Sequence, residues 1–225
     1  MGKAIGDILP LAIGVAISPV PIIAIVLMLG TPRARATGPA FALGWIAGLT
    51  VAGTIMLVIA SGNATTGTGK PETWVSLLKL VLGALFLLLA VKQWRGRPAA
   101  GEEASMPKWM RAIDTFAAGK ALLAGAVLSG LNPKNLALTI AAAAAIAQAG
   151  ISSGQEAGAV AIFVALGSLT IVGPLVIFFA LGTRAARILD GLKTWMAAHN
   201  AAIMAVLLLV LGFKLIGDAI SGLSA

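Results

Sequence analysis

The chain has 225 residues, 59% of them hydrophobic and only 11% charged, with a formal net charge of +8; its mean hydropathy of +1.00 excludes a water-soluble domain. The absence of cysteine excludes thiol redox chemistry and thiolate metal ligation. The basic excess is no sign of a nucleic-acid partner, because its distribution along the chain follows membrane topology instead.

Six apolar segments of crossing length lie near 5–29, 38–61, 74–93, 118–149, 157–182 and 200–220, since a helix rising about 1.5 Å per residue needs roughly 20 residues to cross the hydrocarbon. No alternating pattern recurs at the spacing of barrel strands, so the fold class is an all-α integral membrane protein with six transmembrane helices. The first segment starts near Lys3 and runs past Ala16 to Leu29 without a small-residue cleavage site, which reads as a retained span rather than a signal peptide. Within it "SPVP" (18–21) sets Pro19 and Pro21 close together. Each lacks a backbone donor, so a break into two half-helices is expected there.

The second segment carries Thr50, and Gly44 and Gly48 at a spacing suited to close helix packing. The third carries Lys79, whose stem can snorkel to the headgroups. The long connection 92–120 contains "GRPAAGEEASMP", a flexible link, and then "KWMRAIDTFAAGK". There Trp109, Met110, Ile113, Phe116 and Ala117 share one helical face opposite Lys108, Arg111 and Asp114, the pattern of an interfacial helix.

The fourth segment, "LSGLNPKNLALTIAAAAAI" (128–146), is interrupted by Asn132, Pro133, Lys134 and Asn135. Asn132 can cap a helix that starts at Pro133, whose missing N–H is harmless at a first helical position. The positive end of that half-helix would face the membrane interior with Lys134 beside it. A lysine at mid-depth costs roughly 2.5 to 3.5 kcal/mol on insertion scales, so it should face a cavity or a partner. The fifth segment carries Thr170, which with Thr50 could line that cavity. "RAARILDGLKTWMAAHN" (184–200) repeats the amphipathic arrangement through Ile188, Leu192, Trp195 and Met196, and reads as a second interfacial helix ahead of the sixth span. Lys214 and Asp218, one turn apart, read as a local ion pair; His199 is given no role.

Arg33 and Arg35, then Lys92, Arg95, Arg97, Lys108, Arg111 and Lys120, then Arg184, Arg187 and Lys193 occupy alternate connections, while 62–73 and 150–156 hold only Lys70. The positive-inside rule makes the basic connections cytoplasmic, so both termini face outward from the cytoplasmic membrane.

Three stretches recur in the same order. "SPVPIIA" (18–24) aligns with "NPKNLAL" (132–138), "GLTVAGTIMLVIASG" (48–62) with "SLTIVGPLVIFFALG" (168–182), and "LVLGALFLL" (80–88) with "LVLGFKLIG" (209–217). Each half holds an odd number of spans, so duplication implies two inverted-topology three-helix repeats, with broken first and fourth helices. The expected organisation is a first repeat at 1–93, a cytoplasmic linker with the interfacial helix at 94–117, and a second repeat at 118–225.

Absences exclude classes. No acidic residue lies at mid-depth, so divalent-metal export is a poor fit; no phosphate-binding glycine loop and no hydrolase constellation occurs, so the chain is not expected to be an enzyme or to need a cofactor.

"ISPVPIIAIVLMLGTPRARATGPAFALGWIAG" (17–48), "LNPKNLALTIAAAAAIAQAG" (131–150) and "AVLLLVLGFKLIGDAI" (205–220) together resemble the GAP family of actinobacterial peptidoglycolipid and sulfolipid addressing proteins, within the LysE-type exporter superfamily. The resemblance covers nearly the whole chain. It implies a six-span, two-repeat plan and export of cell-envelope lipids, or assistance to it. By position it makes Ser18, Pro19, Pro21, Asn132, Pro133, Lys134 and Asn135 the translocation-site residues. The superfamily's thiol-redox and metal-exporting members are not matched, for want of cysteine and mid-membrane carboxylates.

The expectation is therefore a transporter of an anionic or zwitterionic amphiphile working by alternating access, with membrane lipids as its surroundings. An exporter of small amino-acid-like solutes is one alternative. A non-transporting scaffold docking a lipid synthase or export machinery through 92–120 and 184–199 is another. Gly- and Ala-rich faces would permit a homodimer.

Overall fold

The computed structural model describes residues 1–64, 73–96, 112, 113 and 115–224. The flexible link, Lys70, Arg97, and Lys108, Trp109, Met110, Arg111 and Asp114 of the expected interfacial helix lie outside the described residues. Among those described there are eight α-helices and no strand: α1 (Gly2–Ala16), α2 (Pro19–Leu29), α3 (Ala34–Ala64), α4 (Thr73–Arg95), α5 (Ala118–Gly130), α6 (Pro133–Gln148), α7 (Ser153–Leu181) and α8 (Ala185–Leu223).

Four of these, α3, α4, α7 and α8, are long and apolar enough to cross a bilayer alone, and α1 with α2 make a fifth candidate span bent by 51°. Only 28% to 39% of each crossing window is buried inside the molecule. The rest is apolar surface, including Leu88, Val58, Leu169 and Phe213, which lipid tolerates and water does not. The chain is thus a multi-pass membrane protein. The predicted span 118–149 is divided at Leu131 and Asn132 into helices of 13 and 16 residues, each short of the roughly 20 that a crossing requires.

Two expectations need correction. The segment 184–200 is not a separate interfacial helix. Apart from the 3₁₀ turn Gly182–Arg184, it runs without a break into the last span, giving a helix of 39 residues. No proline interrupts it, and at about 1.5 Å per residue it is roughly twice as long as the hydrocarbon is thick, so one end stands clear of the bilayer. Farther upstream, Ile113 is buried in the protein core and Phe116 packs against it, so these two residues face protein rather than lipid.

The core is closed by Phe41, Trp45, Phe86 and Phe163, all fully buried. Its closest approaches are made by glycine. A Cβ at Gly44 would overlap the carbonyl oxygen of Leu122, and one at Gly125 would overlap that of Phe41, so α3 and α5 meet almost backbone to backbone. α4 packs along α8, α1 along α7 and α6, and α3 along α7. These pairings bring α1, α5, α6 and α7 together around the two chain breaks.

Candidate functional site

The two prolines pose a local problem. In an unbroken helix the carbonyls of Val15 and Ile17 would accept from residues 19 and 21, but both are prolines with no hydrogen to give. Ile17 adopts φ −79° and ψ 72°, an inverse γ-turn that hands the Ser18 N–H to the Ala16 carbonyl at 2.8 Å and so denies it to Gly14. The last carbonyls of α1 therefore point into the protein interior with few amides to meet them.

Side chains supply the missing donors. Lys134 Nζ donates to the Gly14 carbonyl at 2.8 Å and the Ile17 carbonyl at 3.2 Å. Ser18 Oγ donates to the Val15 carbonyl at 2.7 Å, and Thr170 Oγ1, on α7, to the Ala16 carbonyl at 2.6 Å. The third Lys134 hydrogen goes to Ser18 Oγ at 2.6 Å. Lys134 is 8% exposed and Ser18 3%. An ammonium has three hydrogens, and all three are engaged.

The second break is built differently. Asn132 Oδ1 accepts the Lys134 N–H at 3.0 Å, so Asn132 caps α6 with Pro133 in its first turn. Asn135, fully buried, donates from Nδ2 to the Leu128 carbonyl at 3.0 Å, tying α6 to the end of α5. Its Oδ1 lies 3.2 Å from Ser18 Oγ. The aligned first repeat has Val20 and Pro21 where the second has Lys134 and Asn135. α2 offers no side-chain donor there, and the second half reaches across to provide one.

Of the residues singled out in the sequence, Ser18, Lys134, Asn135 and Thr170 meet in one cluster, with Pro19, Pro21, Asn132 and Pro133 shaping the backbone around it. Thr50 does not join them. Its hydroxyl donates to the Ile46 carbonyl of its own helix at 2.8 Å, and it lines a separate apolar groove of about 690 Å³ between α3 and α7 together with Ser168.

Among the described residues no carboxylate pairs with Lys134; the ion pairs are Lys193 with Asp190 at 2.5 Å and Lys214 with Asp218 at 2.6 Å. The negative end of α1 compensates the ammonium instead. An arriving anion would compete for the same three hydrogens, and winning them would loosen α1 from α6.

Two further cavities are present, one of them bordering this cluster. One, of about 580 Å³, lies between α1 and α8 and is lined by Gly14 and Ile17, whose carbonyls hold Lys134, and by Pro10, Val206 and Val210, with Trp195 and His199 stacked at the far end. It is almost wholly apolar. The other, of about 700 Å³, lies at the ends of α2, α7 and α8, with Arg35, Asp190 and Lys193 at its polar margin. Nothing in the sequence marked either cavity, because both arise from which helices become neighbours.

The apolar helices and the lysine-sealed break define a multi-pass membrane protein with a polar centre. Over residues 8–221 the chain matches the family described as Sap, sulfolipid-1-addressing protein, and it belongs to that family. Comparisons with curated proteins and with solved structures each found no match.

Proposed function

We propose that the protein is a transporter of the cytoplasmic membrane that exports amphiphilic envelope lipids of the glycolipid, peptidoglycolipid or sulfolipid class by alternating access. The observation that carries this reading is the Lys134 ammonium, held by carbonyls instead of a carboxylate beside the apolar groove between α1 and α8. An anionic or zwitterionic head group takes the ammonium while the acyl chains stay in the groove. A small amino-acid-like solute would have no use for that groove. A scaffold without transport would not need the groove either, but would rely on its cytoplasmic segments.

Six spans arranged as two inverted repeats, 1–93 and 118–225, joined through a cytoplasmic linker at 94–117, supply the two states. The packing supports this arrangement: α3 rests on α5 as α7 rests on α1. Gly83 and Gly212, equivalent in the repeat alignment, face each other; a Cβ on Gly83 would lie 2.9 Å from the Gly212 oxygen, and one on Gly212 3.1 Å from the Gly83 oxygen. Equivalent residues in mutual contact are what a twofold axis between halves requires. Both termini then face outward.

The test is to extract surface lipids from a deletion strain complemented with wild type, Lys134→Gln or Ala202→Trp, at matched membrane levels of protein. Ala202 lines the groove, and a tryptophan there fills it without touching the lysine. Loss of one surface lipid class in both variants is expected. Full display in both, with loss in the deletion, moves the assignment to the scaffold.

A further inference from the structure

A further cavity, polar and of about 330 Å³, lies apart from the break, where α1, α4, α6 and α8 converge. Lys3 and Asp7 from α1, Ser76 and Lys79 from α4, and Gln148 at the end of α6 contribute to its walls, with Asp218 from α8. Three groups in it, the Asp218 carboxylate, one Lys79 hydrogen and Gln148 Oε1, are already assigned. Lys214 Nζ takes the Asp218 carboxylate at 2.6 Å, and Lys79 Nζ donates to Gln148 Oε1 at 3.0 Å.

What remains is a surplus of donors. Gln148 Nε2 is buried and has no hydrogen-bond partner, although a buried amide nitrogen ordinarily has one. Lys79 engages a neutral amide rather than a carboxylate, leaving two of its three hydrogens free. Ser76 adds a buried hydroxyl. Lys3 stands exposed at the entrance with Asp7 one turn away. Two carboxylates, Asp7 and Asp218, act on Lys79 across the cavity, but Asp218 is shared with Lys214, and a cation would still meet the Lys79 ammonium and the amide nitrogen. An anion with several acceptor oxygens would meet the amide, the spare ammonium hydrogens and the hydroxyl at once.

We propose that this cavity is a binding site for a tetrahedral oxyanion, a sulfate or phosphate, presented either as a lipid head group or as the free ion. It is separate from the Lys134 cluster and does not depend on the transport reading. Gln148 Nε2 and Lys79 Nζ are its principal donors, and Lys3 draws the anion to the entrance. Four helices share its walls, so occupancy ties α1 and α4 to α6 and α8.

The test uses full-length purified protein in zwitterionic detergent. Binding is measured for radiolabelled inorganic sulfate and, separately, for lysophosphatidic acid, with lysophosphatidylcholine as the probe lacking a monoester. Saturable binding of lysophosphatidic acid is expected, weakened at least about tenfold by Lys79→Gln and by Gln148→Leu and unaffected by Lys193→Gln in the remote cavity. Sulfate that binds and competes identifies the free oxyanion as sufficient; lipid binding without sulfate binding identifies the head group as the source. Lys3→Gln, at an exposed position, repeats the test without disturbing the packed interior and should weaken binding about two- to fivefold. Equal affinity in wild type and all three variants, or no saturable binding of either probe, overturns the site.

Discussion

Lys134 joins the two halves of the molecule through hydrogen bonds to backbone, an arrangement with a measurable signature. Replacing it with Met keeps most of the stem and removes the donors to Gly14, Ile17 and Ser18. Each orphaned buried acceptor costs about 1–3 kcal/mol, although membrane interiors often soften such losses toward the lower end. Lys134→Met should lower stability by about 2 kcal/mol or more in a reversible detergent-unfolding titration, and Ser18→Ala by about 1 kcal/mol. Because the two side chains bond each other, the double variant should lose less than the sum, with a coupling of at least about 0.5 kcal/mol. Strict additivity would mean that the 2.6 Å contact carries no energy of its own.

At the scale of the helices, the breaks were legible in the sequence because proline's missing N–H is a property of the residue itself; which groups repair the damage was not. Thr170 and Thr50 align in the sequence comparison of the two halves and looked alike, yet one hydroxyl crosses to Ala16 of another helix and the other turns back on Ile46. Thr170→Val should therefore cost about 1 kcal/mol in the same titration, while Thr50→Val stays within about 0.5 kcal/mol of wild type. Equal costs would dissociate Thr170 from the break. The Gly44 spacing was readable as a packing signal, but its partner was not, since α5 lies far away in the chain. Gly44→Ala forces α3 off the Leu122 backbone and should lose about 1–3 kcal/mol. Gly173→Ala, with nothing within 4 Å of the added carbon, serves as the control and should lose none. Gln148 escaped notice at the end of an alanine run because its missing partner is a fact of tertiary structure. The continuity of α8 was hidden for a related reason: His199 and Asn200 looked like a boundary, but neither breaks a helix as proline does.

For the whole molecule the decisive quantity is the sense in which each half enters the bilayer, and the starts of α3 and α7 can report it. Arg35 is the second residue of α3 and Gly154 the second of α7, and both are exposed. Two parallel repeats would set them on the same side of the membrane; two inverted repeats must set them on opposite sides. Basic residues cluster near Arg35 and are absent from 150–156, so the positive-inside rule predicts that the Arg35 end faces the cytoplasm. The chain has no cysteine, so each introduced thiol reports alone. Nothing lies within 4 Å of a Cβ at Gly154, so that substitution perturbs no packing. In intact cells a membrane-impermeant maleimide should label the Gly154→Cys variant and leave the Arg35→Cys variant unlabelled until the membrane is permeabilised. Labelling of both from outside, or of neither, would put the two helix starts on one side and overturn the proposed inverted symmetry, and with it the alternating access proposed above.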